Sequence, residues 1–166
     1  MEDQSGRVTA RPITTKEGTT SDGGKVGCYG RGRCCANNPG WFGPGEMEKA
    51  AAHLGLEPEE LFRKCLVVVT AHVVDAPGKP AVDLFAPAKV DERGAPLMPT
   101  GARVPQVYEI MRGACIFYRQ GRCDIHAARP IECRRYFCEQ PDEENLSRAA
   151  LARMWWDAAQ AEREGG

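Results

Sequence analysis

The sequence predicts a small, loop-rich α+β domain: short helices, a small antiparallel sheet and a C-terminal helix around a metal centre. Three observations predict it. Seven of the eight cysteines fall in two groups, Cys28, Cys34 and Cys35 in CYGRGRCC and Cys115, Cys123, Cys133 and Cys138 in CIFYRQGRCDIHAARPIECRRYFC. The 18 glycines and 12 prolines break the 166 residues into short pieces, which a metal staple would help to hold in shape. Between the cysteine groups, apolar residues recur first at helical spacing and then in β-branched runs, the mark of a mixed architecture.

Length and composition set the bounds. The chain suits one domain of ordinary size, and 42% hydrophobic residues are enough for a core. A formal charge of −1 gives no global field toward nucleic acid or membrane. The opening MEDQSGRVTARPITTKEG has no apolar segment of a secretory leader, and LVVV before Thr70 is far too short to span a bilayer. The expected setting is therefore the reducing cytoplasm. There, cysteines serve as metal ligands or redox groups more readily than as disulfides, with plain core packing as the third role.

Residues 1–24 are polar and without apolar period, which predicts a disordered or loosely attached tail. In the first cysteine group Gly27, Gly30 and Gly32 interleave with the thiols, letting backbone amides approach sulfur. ANNPGWFGPG is a turn-dense loop whose Trp41 and Phe42 are expected to lie as a lid over the core. Met47, Ala50, Ala51 and Leu54 predict a helix from Glu46, ended by Gly55. Pro58 opens a second short helix bearing Leu61, Phe62, Cys65 and Leu66. Cys65 shares a face with Leu61, so it reads as a packed hydrophobe rather than a ligand. His53 and His72 stand alone and read as surface or core residues.

Val67–Val74 predicts a strand and residues 81–90 another, with a turn between. Residues 91–105 read as loop and Val107–Met111 as a short strand. Gln120-Gly121 marks a tight hairpin that holds Cys115 near Cys123. Pro141 is expected to begin the longest helix, with acidic residues crowding its start to suit the helix dipole. Leu151, Met154, Trp155 and Ala158 form its apolar stripe, with Trp156 off it. The domain plan is thus a tail at 1–24, a cysteine-cluster metal-binding domain at 25–140, and a C-terminal helix at 141–166 packed on it.

The cysteine spacing is irregular: an adjacent pair, a five-residue gap from Cys28 to Cys34, and Cys133-x₄-Cys138. It departs from the paired C-x₂-C arrangement of common structural zinc sites. It fits a ligand sphere gathered from loops, two metals sharing a thiolate, or an iron–sulfur cluster. Arg112, Arg119, Arg122, Arg129, Arg134 and Arg135 crowd the second group, opposed there only by Asp124 and Glu132. Guanidinium groups offset thiolate charge; binding of an anionic ligand or of nucleic acid are the other roles for such a patch. After Arg129, Pro130 fixes a turn ahead of Glu132.

At these residues the chain resembles the bacterial YkgJ-type cysteine-cluster family, described as a CxxCxxCC zinc- or iron-chelating domain. Cys28 and Cys34-Cys35 match its first group. CIFYRQGRCDIH supplies Cys115, Gly121, Cys123, Ile125 and His126, and RPIECRRYFC supplies Arg129, Pro130, Cys133, Arg134 and Cys138. The resemblance covers about residues 26–140. The family's second cysteine position holds Arg31, and the aromatic before Cys138 is displaced by one, which points to one site, or one strong and one weak, instead of two full sites. The resemblance implies zinc or iron, possessed as a single ion or an iron–sulfur cluster, on Cys28, Cys34, Cys35, Cys115, Cys123, Cys133 and Cys138. His126 is a candidate extra ligand. The function so implied is a cytoplasmic metal-binding protein with a structural, sensing or accessory role and room for a protein partner. Two alternatives stand beside it: a lysine N-methylase-like enzyme of the kind related to flagellin methylation, or a module binding nucleic acid or an acidic partner through the arginines. No glycine fingerprint of a methyl-donor fold is present.

Overall fold

The computed structural model describes residues 18–19, 25–26, 33–135 and 145–166, with side chains from Cys35 onward. Strand β1 (Gly18–Thr19) pairs antiparallel with β2 (Lys25–Val26); the rest of the tail expected over residues 1–24 lies outside the described residues. Helix α1 (Arg33–Asn37) carries the adjacent cysteines.

Local signals account for the next two helices. α2 spans Glu46–Leu54 and stops where Gly55, at φ 69°, sends its N–H back to the carbonyls of Ala51 and Ala52. Only a residue without Cβ takes that angle cheaply. α3 (Pro58–Cys65) opens on a proline whose missing N–H costs nothing in a first turn.

Strand β3 (Leu66–His72) pairs along its whole length with β4 (Ala81–Pro87), from Leu66 opposite Pro87 to His72 opposite Ala81. On its other side β6 (Ala102–Arg103) runs parallel to Val67 and Val68, so β3 is central and the sheet is mixed, not purely antiparallel. The period of two in β3 divides its side chains. Val67, Val69 and Ala71 enter one core cluster and Leu66 another.

The short strand expected at Val107–Met111 is instead a 3₁₀ helix, Gln106–Ile110. Pro105 sets up its first turn. The ammonium of Lys89, in β5 (Lys89–Val90), collects its last carbonyls, donating to Tyr108 O at 2.6 Å and Met111 O at 2.7 Å. Then follow β7 (Ala114–Cys115), paired with β5, and the hairpin β8 (Tyr118–Arg119) with β9 (Arg122–Cys123). Gln120 (φ 51°) and Gly121 (φ 73°) form the two-residue turn, both left-handed as such hairpins require. Helix α4 (Ile131–Arg135) follows Pro130.

The final helix, α5 (Arg148–Glu164), begins well after Pro141. Ser147 is its N-cap, the side-chain oxygen accepting from Ala150 N–H at 3.1 Å, so the acidic run precedes the helix and is not its first turn. Leu151 and Ala152 are buried against the sheet, with Met154, Trp155 and Trp156 partly buried on the same cluster. Full burial of a leucine is worth about 1.5–3 kcal/mol, enough to dock the helix.

Two clusters result. The first joins one sheet face, Tyr108, Ile131 and α5. The second joins α2, α3 and the cysteine-bearing segments through Phe42, Leu61, Leu66, Cys115, Phe117 and Ile125. Trp41 and Phe42, both fully buried, are no lid: Trp41 belongs to the first cluster and Phe42 to the second. The Phe42 N–H donates to Phe85 O, and its carbonyl accepts from Trp155 Nε1 at 2.9 Å.

Candidate metal centre

The fold brings elements of the two cysteine groups into contact. α1, with Cys34 and Cys35, packs against β7, with Cys115, and Gly113 N–H donates to Asn37 O at 3.1 Å. Cys115 is buried in the second cluster, with Cys35, Cys65 and Cys123 half-buried against it. The hairpin sets Cys123 opposite Tyr118, and Asp124 N–H donates to Phe117 O, drawing β9 back toward the strand that bears Cys115. A second approach joins the same regions: α4, bearing Cys133, lies against β2, which ends two positions before Cys28.

Cys133 stands apart from the second cluster, against the backbone of Gly40. A Cβ placed on Gly40 would fall 2.5 Å from Cys133 Sγ and 2.8 Å from its backbone N. No side chain fits there. Cys28 and Cys138 lie outside the described residues, as does the side chain of Cys34. No disulfide joins two described cysteines. Among the described residues no three His, Cys, Asp or Glu side chains form a group able to hold a metal ion. Thiol donors suit a soft metal.

Cys65 packs on the second cluster, and burial pushes its thiol pKa above the ordinary value, partly countered by Arg119 and Lys64. The histidines differ from one another. His53 Nε2 donates to Asp124 O and His72 Nδ1 to Lys79 O, each at 3.1 Å, so both have structural work. His126 is half-buried in a single 3₁₀ turn, and its buried Nε2 has no hydrogen-bond partner among the described residues. Burial, then the Arg129 guanidinium, holds its pKa below the ordinary histidine value, so the ring is neutral at pH 7.

The arginines divide. Arg119 pairs with Asp124 at 3.0 Å on the hairpin surface. Arg129 donates to His126 O, and Arg134 donates to Arg129 O, both at 2.8 Å, while Arg134 also pairs with Glu46. Arg112 and Arg122 are exposed.

Sequence reasoning missed the carboxylates that set these pieces in place. Glu46, 5% exposed, accepts through Oε2 from Gly43 N–H at 2.6 Å and Ile131 N–H at 2.8 Å. Glu132 Oε2 accepts from Trp41 N–H at 2.7 Å and from Arg148 Nη1 at 2.8 Å, and the Arg148 guanidinium lies 4.0 Å over the Trp41 ring. The two glutamates thus tie residues 41–43 to α4. No pattern in the sequence pairs positions so far apart.

No family model, curated protein or solved structure matches the chain. Among the described residues no helix is long and apolar enough to cross a membrane.

Proposed function

We propose that the chain is a cytoplasmic cysteine-cluster protein of the YkgJ type that binds zinc or iron, the latter as an ion or an iron–sulfur cluster, in a structural, sensing or accessory role. One observation carries the reading: α1, with the adjacent Cys34 and Cys35, packs against β7, with Cys115, though about eighty residues separate them. Cys35 and Cys115, one from each group, thereby share the second core cluster, and a soft metal bound there would take thiolates from separate elements. The exposed Arg112 and Arg122, close in sequence to Cys115 and Cys123, would help offset the negative charge that several thiolates on a divalent ion leave.

The test is metal analysis by plasma mass spectrometry, with a visible spectrum, on protein purified without oxygen. Iron with sulfide and broad visible absorption identifies a cluster suited to electron transfer or radical chemistry. About one zinc in a colourless sample identifies a structural or sensing site. Protein that takes up neither metal, even when refolded with them, refutes the proposal.

A further inference from the structure

Cys133 is carried on a helix of five residues, α4, far too short to hold its own place. Its position must come from outside. Ile131 N–H, at the start of α4, donates to Glu46 Oε2, and the same oxygen takes Gly43 N–H. The other carboxylate oxygen pairs with Arg134, one residue beyond Cys133. One buried group therefore grips α4 on both sides of the cysteine and ties it to the segment that follows Gly40. The Gly40 backbone in turn walls the sulfur, so a small rotation of α4 would move Sγ into it or open a gap.

We propose that Glu46 is the positioning residue for Cys133, fixing where its sulfur stands for ligation. The ligation half of this rests on the metal-binding reading; the positioning half rests on the hydrogen bonds alone. A carboxylate suits the task because it only accepts, through two oxygens, and here meets two N–H groups and a guanidinium. Glutamine at this position keeps an oxygen for Gly43 and Ile131 but turns an NH₂ toward Arg134. Alanine keeps neither.

The experiment measures alkylation of individual cysteines by mass spectrometry on metal-free, reduced protein, with zinc affinity by chelator competition on the same variants. In Glu46→Ala, Cys133 alkylation is expected to rise about tenfold or more, the effect of losing roughly 1.4 kcal/mol of local stability. Cys65, on α3, serves as the internal control and is expected to stay unchanged. Glu46→Gln is expected to show a rise of only about threefold, since the two backbone contacts survive. Zinc affinity should fall about 10- to 100-fold in Glu46→Ala, the usual effect of removing a group that orients a ligand. If Cys133 and Cys65 rise together, Glu46 supports the whole fold and the proposal is wrong; if neither rises, it is equally wrong. A wild-type chain that takes up no zinc sinks the metal-binding reading and the ligation half with it. That failure is told apart because the alkylation pattern is read without metal.

Discussion

Lys89→Met sets two large effects against each other. The Lys89 side chain is fully buried, with Nζ 2.6 Å from Tyr108 O, 2.7 Å from Met111 O, 3.3 Å from Glu109 O and 4.8 Å from the Tyr108 ring centre. Burial, with Arg148 nearby, holds its pKa down to about 8, against which Glu109 and Glu132 act weakly. Holding the charge inside costs about 3 kcal/mol, at 1.36 kcal/mol per pKa unit below the unfolded value near 10.4. Methionine recovers that cost and fills similar space. It also strands the carbonyls at the end of the 3₁₀ helix. Two short charge-assisted hydrogen bonds are worth about 1.5–3 kcal/mol each, and every buried orphan acceptor costs about 1–3 kcal/mol more. The hydrogen-bond side wins even at its lower end, so Lys89→Met should lose at least about 2 kcal/mol in urea denaturation at pH 7, with faster amide exchange over residues 106–111. The pH dependence has a definite sign. Between about pH 8 and pH 10 the folded Lys89 has released its proton while the unfolded chain keeps it, so stability from this group rises with pH. The gap between wild type and Lys89→Met, measured in chelator and reductant, should therefore widen by about 1–2 kcal/mol from pH 8 to 9.5. A methionine variant as stable as wild type at pH 7 would show that desolvation outweighs the carbonyl contacts, and the argument would be refuted.

Gly40→Ala puts a methyl 2.5 Å from Cys133 Sγ and 2.8 Å from a backbone nitrogen that cannot swing away. It should cost about 1–3 kcal/mol, or roughly 2–12 °C in Tm, by calorimetry; an unchanged Tm would mean that α4 shifts freely. For His126, whose folded pKa is lowered by burial and Arg129, the unfolded chain takes up the proton first as pH falls below about 6.5. Metal-free wild type should therefore lose more stability than His126→Gln between pH 7.5 and 5, and parallel pH profiles would argue against a buried neutral ring. On the metal-binding reading, chelation should speed amide exchange in Arg33–Asn37 and Ala114–Cys115 while β3 and β4 stay protected. Uniform loosening would contradict a locally anchored centre.

What was legible in the sequence is what neighbouring residues decide. Gly55 and Pro58 mark an end and a start that any helix would obey, and Gln120-Gly121 specifies a hairpin turn without help from the rest of the chain. The β-branched run Val67–Val74 marks the strand that is observed at Leu66–His72. Long-range partners decided the remainder. Lysine in a strand reads as a surface residue, yet Lys89 is buried because a helix end twenty residues later needs its protons. For the same reason residues 106–110 turn instead of extending. Ser147, a better cap than anything its upstream proline offers, delays the last helix. Glu46 looks like an ordinary acidic residue at a helix start, and its second role appears only once Ile131 arrives from 85 positions away. The cysteines marked a candidate thiolate site, whereas their spacing could not show that Cys133 would stand against Gly40, apart from the cluster that gathers Cys35, Cys115 and Cys123.

The distribution of element lengths bears on why thiols are concentrated where they are. The pieces that bury the first cluster are long: seven-residue strands in β3 and β4, and seventeen residues in α5. The pieces that carry the sequence-marked cysteines are short, five residues in α1 and α4 and two in β7 and β9. Helices and strands of that length are not stable by themselves, and the second cluster gives them only partial cover, since Cys35 and Cys123 remain half-exposed. Hydrogen bonds from Glu46 and Glu132 secure α4, but α1 and the hairpin have no buried carboxylate among the described contacts that ties them to the long elements. A bond between sulfur and metal acts on the same scale as folding free energy itself. Placed across α1 and β7, it would supply the cross-link that hydrophobic area cannot supply to elements so small. On the metal-binding reading, the bond would fall on elements too short to hold themselves in place: α1, α4, β7 and β9 are among the shortest of the described elements and carry thiols.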